Sequence, residues 1–231
     1  MQTAIITGAS RGLGLALARA LAERSWNLVL DARGGEALEK VAEELSATTE
    51  VVAVTGDVAD DSHRQQLVEA AQGMGGPDLL VNNASLLGPS PQPKLADYPL
   101  DTFRTVYEVN VTAPLALIQR ALPLLSQSPQ GAVINVTSDA GVEGYEGWGG
   151  YGSSKAALEQ LSKVLAAEHP ELKVWWVDPG DMNTTMHQEA YPDEDISDRP
   201  PPENSIPGIL RLIDENVPSG RYQARAETAA G

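Results

Sequence analysis

The chain has 231 residues and no cysteine, and its 32 acidic and 16 basic residues give a formal net charge of −16. Disulfides and thiolate metal sites are therefore excluded, and the negative charge disfavours nucleic acid or an anionic membrane as a partner. The acidity itself fits either ordinary solubility or salt adaptation. Because no apolar run approaches the length of a membrane span and the first residues lack signal-peptide features, we expect a cytoplasmic protein.

Short apolar runs of strand length alternate with longer amphipathic stretches. The short runs are rich in Leu and β-branched residues, which is typical of strands buried on both faces of a parallel sheet. The predicted strands are residues 3–7, 27–30, 50–55, 79–82, 132–137, 173–177 and 220–224. The predicted helices are residues 13–23, 36–45, 61–74, 101–125, 152–169 and 206–216.

This alternation of strand and helix predicts an α/β fold with a doubly wound parallel sheet of the Rossmann type, in three layers and a single domain over residues 1–225. Such a sheet binds ligands in the crevice at the carboxyl ends of its strands. Residues 86–99 contain four prolines and are predicted to be a loop, and the polar, acidic residues 182–203 a flexible flap over the substrate. Residues 226–231 are predicted to be a disordered tail.

A glycine-rich turn follows the first predicted strand and opens the first helix. It runs Thr-Gly-Ala-Ser-Arg-Gly-Leu-Gly over residues 7–14. Glycine at positions 8, 12 and 14 permits a tight turn and a close approach of the backbone to a ligand. Because the helix N-terminus then offers free N–H groups and a positive dipole end to a pyrophosphate, the turn predicts a nucleotide site.

Tyr151 and Lys155 stand four residues apart in a predicted helix, which places them one turn apart on the same face. A phenol normally ionises near pH ~10, and a neighbouring ammonium lowers that pKa. The spacing therefore predicts an acid/base pair. Ser138 stands at the end of a predicted strand, 13 residues before Tyr151, where a doubly wound fold places its chemistry.

Together these motifs resemble the short-chain dehydrogenase/reductase family over nearly the whole chain. The turn matches the family's TGxxxGxG, Tyr151 and Lys155 match its YxxxK motif, and Ser138 matches its catalytic serine. Asn110 matches its fourth catalytic residue. The resemblance implies a nicotinamide-dependent oxidoreductase that moves a hydride between the cofactor and a carbonyl or secondary alcohol.

The resemblance also implies a role for each matched residue. Tyr151 would give a proton to the carbonyl oxygen in reduction, or take one from the alcohol in oxidation. Ser138 would stabilise the negative charge that develops on the same oxygen. Lys155 would lower the pKa of Tyr151 and bind the nicotinamide ribose, and Asn110 would hold a water in a proton relay.

Further matches concern cofactor binding. Residues 82–85 match the family's NNAG motif except that Ser85 replaces the glycine, a change that we expect to cause adjustment rather than loss. Residues 179–184 resemble its PGxxxT motif. The residues that the resemblance assigns to the cofactor are Gly8, Ser10, Arg11, Gly12, Leu13, Gly14, Arg33, Asp57, Val58, Asn83, Ala84, Tyr151, Lys155, Pro179, Gly180, Met182 and Thr184.

The second predicted strand ends in Asp31, Ala32 and Arg33, and these residues leave two cofactors open. An acidic residue at this strand end normally binds the ribose 2′-hydroxyl of NAD, whereas an arginine accepts the 2′-phosphate of NADP. The order matches the VLTAR of NADP-specific family members, which puts Arg33 on the phosphate and turns Asp31 away from the ribose. Arg11 is a second basic residue common in NADP forms. We therefore predict NADP(H) in preference to NAD(H).

The substrate is expected to be a small carbonyl compound or alcohol. Its pocket should be walled by the stretch between Ser138 and Tyr151 and by the flap. The expected wall residues are Val142, Glu143, Tyr145, Glu146, Trp148, Met182, Met186, His187 and Tyr191. Because Glu143, Glu146, Asp181 and the acidic residues 193–195 would ring its mouth, the pocket should disfavour anionic substrates.

Two other functions are weighed against this one. A non-catalytic nicotinamide-nucleotide-binding sensor or regulator on the same fold would usually lose the Tyr or the Lys, and this chain keeps both. An epimerase or dehydratase of the extended branch of the superfamily would need a larger C-terminal region than the roughly fifty residues after Pro179. The apolar character of predicted helices 101–125 and 152–169 implies a homodimer or homotetramer, as in the family.

The remaining aromatic and histidine residues receive structural assignments. His63 and His169 are expected at the surface, and Trp175 and Trp176 in the core. No group of histidines and carboxylates has the spacing of metal ligands, so no metal is predicted.

Overall fold

The computed structural model describes residues 1–225. Seven parallel strands form one sheet in the order β3-β2-β1-β4-β5-β6-β7, so the chain starts near the middle and winds outward in both directions. The strands are β1 (Thr3–Ile6), β2 (Asn27–Ala32), β3 (Val51–Thr55), β4 (Leu79–Asn82), β5 (Ala132–Val136), β6 (Lys173–Asp178) and β7 (Gly220–Gln223). This is the predicted doubly wound sheet, and its carboxyl edge carries every motif described above.

Eight α-helices cover the two faces of the sheet. They are α1 (Gly12–Ala22), α2 (Gly35–Leu45), α3 (Asp61–Gly73), α4 (Leu100–Tyr107), α5 (Ala113–Leu125), α6 (Gly149–Glu168), α7 (Thr185–Ala190) and α8 (Ile206–Asp214) within the described residues. In β1, Ala4 and Ile6 pack into the core beneath α1, α2 and α8, whereas Ile5 packs into the core beneath α3 and α5. Successive side chains point to opposite faces of a strand, so each strand contributes to both cores and the molecule has three layers.

The seven predicted strands and five of the six predicted helices form, and their ends shift by only a few residues. The run in β2 extends to Ala32 rather than stopping at Leu30, because its polar Asp31 is buried and continues the ladder beside Val54. Trp175 and Trp176 lie in β6 and are buried, as predicted. The predicted tail, residues 226–231, lies outside the described residues.

Two predictions of local structure were wrong. The single helix predicted over residues 101–125 is two helices, α4 and α5, separated by a π-helical turn at Glu108–Thr112. A π-helical turn contains one more residue than an α-helical turn, and here that turn contains the buried Asn110. The side chain of Asn110 forms hydrogen bonds with the backbone of Leu86, which lies outside the helix. The segment predicted as an irregular flap contains α7, whose N-cap Thr184 accepts a hydrogen bond from the N–H of His187 at 3.2 Å. None of the helices within residues 1–225 is both long and apolar enough to cross a membrane.

Candidate active site

The end of β4 and the turn after β1 are joined at the carboxyl edge by hydrogen bonds. The hydroxyl of Thr7 accepts bonds from the N–H groups of Asn83 and Ala84, each at 3.0 Å. The side-chain amide of Asn83 donates in return to the carbonyls of Thr7 at 2.8 Å and Gly8 at 3.1 Å. The predicted cofactor residues of the first and fourth strands therefore form one rigid unit.

The glycine-rich turn is shaped to admit a ligand. Gly12 has φ +58, a conformation that favours glycine, and a Cβ there would point toward Thr184, whose Cγ2 would lie 3.6 Å away. The same turn needs glycine at position 14, where a Cβ would lie 2.4 Å from the carbonyl oxygen of Gly8. No side chain caps the N-terminus of α1 and no acidic residue stands in its first turn, so its N–H groups remain suited to an anion. A dinucleotide pyrophosphate fits this cradle.

The end of β2 separates its two charged residues. Asp31 is 1% exposed, and its carboxylate accepts bonds from the N–H of Gly8 at 3.2 Å and from Nε2 of His63 at 2.5 Å. Arg33, two residues later, is exposed. The side chain of Asp31 is therefore buried and bonded within the protein, whereas the side chain of Arg33 is accessible to a ligand at the edge of the sheet.

The predicted surface position of His63 was wrong. Its side chain is 5% exposed and its ring lies against Gly56, where any Cβ would clash with it. His63 is the partner that a buried carboxylate requires, since an isolated charge in the interior is strongly disfavoured. The polar residue inside an otherwise apolar β2 was the sequence signal that such a partner exists. His169, by contrast, is partly exposed and bonds Glu171 at 3.0 Å.

Asp57 and Val58, two of the predicted cofactor residues, follow β3 and lie near Asp31 and His63. Asp57 is partly buried, and its carboxylate accepts the N–H of Ala59 at 2.9 Å. Val58 is 8% exposed, and its carbonyl accepts a bond from Arg64 at 2.6 Å. Both residues stand at the carboxyl edge, next to the ends of β2 and β1.

Ser138, Tyr151 and Lys155 come together across the end of β5. Ser138 follows the strand, and its hydroxyl donates to Asp139 at 2.9 Å and accepts the N–H of Ala140 at 3.2 Å. Tyr151 and Ser138 line the same cavity. The ammonium of Lys155, one turn along α6, donates to the carbonyl of Val136 at 2.8 Å and lies 5.4 Å from the centroid of the Tyr151 ring.

Burial governs the acid–base behaviour of this pair. It lowers the pKa of Lys155 to about 7. Burial also raises the pKa of Tyr151 well above its ordinary value, a hydrogen bond with Ser85 opposes this rise, and the carboxylates of Asp178 and Asp139 add to it. Desolvation of the phenolate is the largest of these effects, and the lowering of the Tyr151 pKa by Lys155 stays a prediction. The phenol therefore keeps its proton.

Asn110 lies in the π-helical turn and is 1% exposed. Its side-chain oxygen accepts the N–H of Leu86 at 2.8 Å and the hydroxyl of Ser85 at 3.1 Å. Its amide nitrogen donates to the carbonyl of Leu86 at 2.9 Å and to Ser154 at 3.0 Å. The unexpected serine at position 85 is thus accommodated by bonding to the predicted catalytic residues.

A cavity of about 520 Å³ opens in front of Ser138 and Tyr151. The predicted walls Tyr145, Glu146, Trp148, Met182, Met186, His187 and Tyr191 all line it, together with Asp139, Asp178, Asp181, Pro179, Gly180 and Thr184. The predicted walls Val142 and Glu143 do not line it, and neither do residues 193–195. Both Val142 and Glu143 are exposed, because the turn that begins at Asp139 carries them away from the cavity.

A charged network behind the cavity was missed in the sequence. Arg221 of β7 donates to Glu159 at 3.0 Å, to Asp178 at 3.2 Å and to the carbonyl of Ser138 at 3.3 Å. Thr137 also donates to Glu159, at 2.9 Å. The network ties the ends of β5 and β6 to α6. The sequence feature that could have indicated this network is Glu159, a carboxylate four residues after Lys155 on the same buried helix face. Within residues 1–225 no group of histidines and carboxylates is arranged to hold a metal ion.

Comparison with known proteins agrees with this geometry. The family model for the short chain dehydrogenase matches residues 2–195. The chain is 33% identical to a rhamnolipids biosynthesis 3-oxoacyl-[acyl-carrier-protein] reductase of Pseudomonas aeruginosa, over 98% of this chain and 86% of that enzyme. It is 35% identical to the sepiapterin reductase of Rattus norvegicus, over 80% of this chain and 76% of that enzyme.

A solved structure shares the whole architecture. A short chain dehydrogenase of Shigella flexneri, complexed with NADP, superimposes with a TM-score of 0.89 at 29% identity and covers 97% of each chain. The match therefore includes both halves of the crevice rather than the nucleotide-binding strands alone. The chain belongs to the short-chain dehydrogenase family of oxidoreductases.

Proposed function

We propose that this protein is an NADP(H)-dependent carbonyl reductase in which Tyr151 is the proton donor. The observation that carries the proposal is that Ser138 and Tyr151 line one cavity, with the ammonium of Lys155 5.4 Å from the centroid of the Tyr151 ring. NADPH, when bound, would supply the hydride. The protein supplies the proton, the stabilisation of charge and the orientation of the substrate.

Two hydroxyl groups are available to the carbonyl oxygen of a substrate. Tyr151 is protonated, since burial holds its pKa high, and a protonated phenol is the form that reduction requires. Ser138 would turn its hydroxyl from Asp139 to the same oxygen and stabilise the negative charge that develops there.

Lys155 and Asn110 support the donor rather than contact the carbonyl. Lys155 is 2% exposed, is held by the carbonyl of Val136 and lies beside the Tyr151 ring, and the family resemblance assigns it to the nicotinamide ribose. Asn110 fixes Ser85 and Leu86 next to Tyr151. The water-holding role that the family resemblance implies for Asn110 would fall to its backbone, because its side chain already bonds four protein groups.

The cofactor residues favour NADP(H). Arg33 is exposed at the end of β2, where an arginine accepts the 2′-phosphate, and Asp31 is occupied by Gly8 and His63. Gly8, Ser10, Arg11, Gly12, Leu13 and Gly14 would hold the pyrophosphate, while Pro179, Gly180, Met182 and Thr184 would hold the nicotinamide. The Shigella flexneri protein complexed with NADP supports this choice by its similarity alone.

A direct assay tests the function. The protein is mixed with NADPH or NADH and with a panel of aldehydes, ketones and keto esters, and the loss of reduced-cofactor absorbance is followed. We expect turnover with NADPH in preference to NADH. Preference for NADH would contradict the cofactor assignment. Binding of NADPH without turnover of any carbonyl would instead favour the non-catalytic sensor.

The same family resemblance leads us to propose a homodimer or homotetramer. Leu100 of α4, Leu115 of α5 and Val164 of α6 are large apolar side chains that stand exposed in the single chain. These side chains would be covered if the helices packed against a second copy of the chain. Sedimentation at micromolar concentration should give a multiple of 24.5 kDa, and a stable monomer would contradict the proposal.

A further inference from the structure

The cavity in front of Ser138 and Tyr151 has an unusual distribution of charge. Four carboxylates line it, on Asp139, Glu146, Asp178 and Asp181, and no lysine or arginine is among its lining residues in the described part of the chain. A cavity with low-dielectric walls and charges of one sign concentrates ligands of the opposite sign.

Three of the four carboxylates have basic partners of their own. Glu146 pairs with Lys94 at 3.1 Å, and both are exposed. Asp178 pairs with Arg221 at 3.2 Å, and Asp181 lies 4.0 Å from Arg199. The charge of each is therefore partly balanced before a substrate arrives.

Asp139 is different, because hydroxyl and backbone groups are its partners and it forms no ion pair within residues 1–225. It accepts bonds from Ser138 at 2.9 Å and from Tyr145 at 3.0 Å. The hydrogen bond and charge of Asp139 raise the pKa of Tyr145. Burial is the main cause of the raised pKa of Tyr191, and the charges of Asp181, Glu194 and Asp139 add to it.

Aromatic rings form the walls opposite this carboxylate. The Trp148 ring lies 5.7 Å from Tyr151 and 6.0 Å from Tyr191 between centroids, and His187 lies 5.0 Å from Tyr191. The faces of such rings pack against flat apolar groups and attract cations. The carboxylate and the aromatic rings therefore both favour a ligand that carries a positive charge.

The position of Asp139 sets where a cation would sit. Its carboxylate is 2.9 Å from the hydroxyl of Ser138, which would bond the carbonyl oxygen of the substrate. Three contacts of roughly 3 Å each then link the carbonyl oxygen, Ser138, Asp139 and the cationic group, so the cation would lie no more than about 9 Å from that oxygen. A nitrogen on the carbon next to the carbonyl, or a few bonds further along, falls within this range.

We propose that the cavity selects aromatic ketones that carry a cationic nitrogen near the carbonyl, with Asp139 as the charge partner and Trp148 and Tyr191 as the ring walls. The selection rests on the proposed carbonyl reduction at Ser138 and Tyr151. It adds that the substrate is cationic, and that one carboxylate beside the reacting carbon recognises it.

A matched pair of ketones tests the role of charge. Phenacyltrimethylammonium carries a permanent positive charge, and neopentyl phenyl ketone has the same shape with carbon in place of nitrogen. Because the ammonium group also activates the adjacent carbonyl towards hydride in any protein, the ratio of the two kcat/KM values is compared between the wild type and the variant. We expect the ratio of cation to neutral ketone to fall about five- to tenfold from the NADPH-loaded wild type to Asp139→Asn, whatever the change in absolute rate.

A control variant separates Asp139 from general acidity. Glu146→Gln removes one negative charge from the same cavity, but Glu146 already pairs with Lys94. Its ratio of cation to neutral ketone should change less than twofold. A wild-type ratio near one, or a ratio that Asp139→Asn leaves unchanged, would overturn the proposal.

Binding distinguishes this proposal from the proposed function. The affinity of both ketones for the NADPH-loaded protein is measured by calorimetry in the wild type and in Asp139→Asn. If no ketone is reduced but the cation still binds more tightly in an Asp139-dependent way, the reductase assignment fails and the charge selection stands. If ketones are reduced without preference for the cation, the reductase stands and the charge selection fails. If neither ketone is reduced and the cation binds no more tightly than its isostere, both fail.

Discussion

Around β1, β2 and β4, the polar groups at the carboxyl edge bond one another. Thr7 holds Asn83, Asn83 holds Gly8, and Asp31 holds Gly8 and His63. Around β5 and β6, some polar groups at the carboxyl edge have protonation states or hydrogen bonds that can change. Lys155 has a pKa near 7, Ser138 donates to a neighbouring carboxylate, and a nitrogen of His187 is buried without a bond in the described residues.

This difference agrees with the proposed function, in which the β1, β2 and β4 side of the crevice binds the cofactor and the β5 and β6 side binds the substrate. The cofactor side is preorganised, so a ligand meets a backbone cradle whose shape is already set. The substrate side holds groups whose bonds and protonation can change when a ligand arrives, which proton transfer requires. Substitutions should therefore act on turnover and titration on the second side, and on affinity or stability on the first.

The largest effect is expected at Tyr151. Tyr151→Phe keeps the ring that packs against Trp148 but removes the proton. Turnover of a ketone with NADPH should fall by at least ~10²-fold, while NADPH affinity changes little. Steady-state kinetics and cofactor titration measure both quantities. Turnover near that of the wild type would remove Tyr151 from the proton-donor role.

Arg33 tests the exposed part of the cofactor side. A charge-assisted bond to phosphate contributes about 1.5–3 kcal/mol, so Arg33→Ala should weaken NADPH binding about ten- to a hundredfold. NADH affinity should hardly change, because NADH has no phosphate at that position. Fluorescence titration with both cofactors gives the result. Equal losses for NADPH and NADH would show that Arg33 does not read the phosphate.

Asp31 tests the interior of the same strand. Asp31→Ala leaves the N–H of Gly8 and the ring of His63 without their acceptor. We expect the free energy of unfolding to fall by about 1–3 kcal/mol, measured by urea denaturation. The preference between NADPH and NADH should stay as in the wild type. A selective loss of NADH affinity would instead mean that Asp31 binds the ribose hydroxyls.

The smallest effect concerns the pH dependence of stability through Lys155. Its pKa is about 7 in the folded protein against 10.5 in its ordinary state, so between these values the unfolded chain binds more protons. The free energy of unfolding of the wild type should therefore rise with pH above 7, relative to Lys155→Met, by up to about 1.4 kcal/mol per pH unit. Urea denaturation of both proteins at pH 7 and pH 8 measures it. A difference that shrinks with rising pH would contradict the lowered pKa.

Much of the fold could be predicted from local patterns. Buried strands and amphipathic helices repeat along the chain, and each has its own periodicity, so the order of elements and the doubly wound sheet followed from the sequence. The break of the helix at Asn110 could not be predicted in this way. The residues of α4, the π-helical turn and α5 keep a continuous helical pattern, and the cause of the break lies in bonds to Leu86, a residue 24 positions earlier.

The residues of the candidate site also fall into those that local patterns predicted and those that they did not. Ser138, Tyr151 and Lys155 were found because their chemistry depends on spacing within one strand end and one helix, and the glycine turn because its backbone conformation requires glycine at fixed positions. His63, Arg221 and Asp139 were not found as partners. Each acts through a residue on another element, and pairing across elements leaves no periodic pattern in the chain.

The sequence alone therefore specified the sheet and the glycine-rich cradle and predicted which side chains react, because hydrophobic periodicity and motif spacing are local properties. How those groups ionise and what surrounds them follow from the tertiary structure. Burial shifts the pKa values of Tyr151 and Lys155, the pairing with His63 holds Asp31 inward, and two segments, the connection between β5 and α6 and the end of α7, bring Asp139, Trp148 and Tyr191 to one cavity. Desolvation and charge depend on distance in space rather than distance along the chain, so they appear only when the chain has folded.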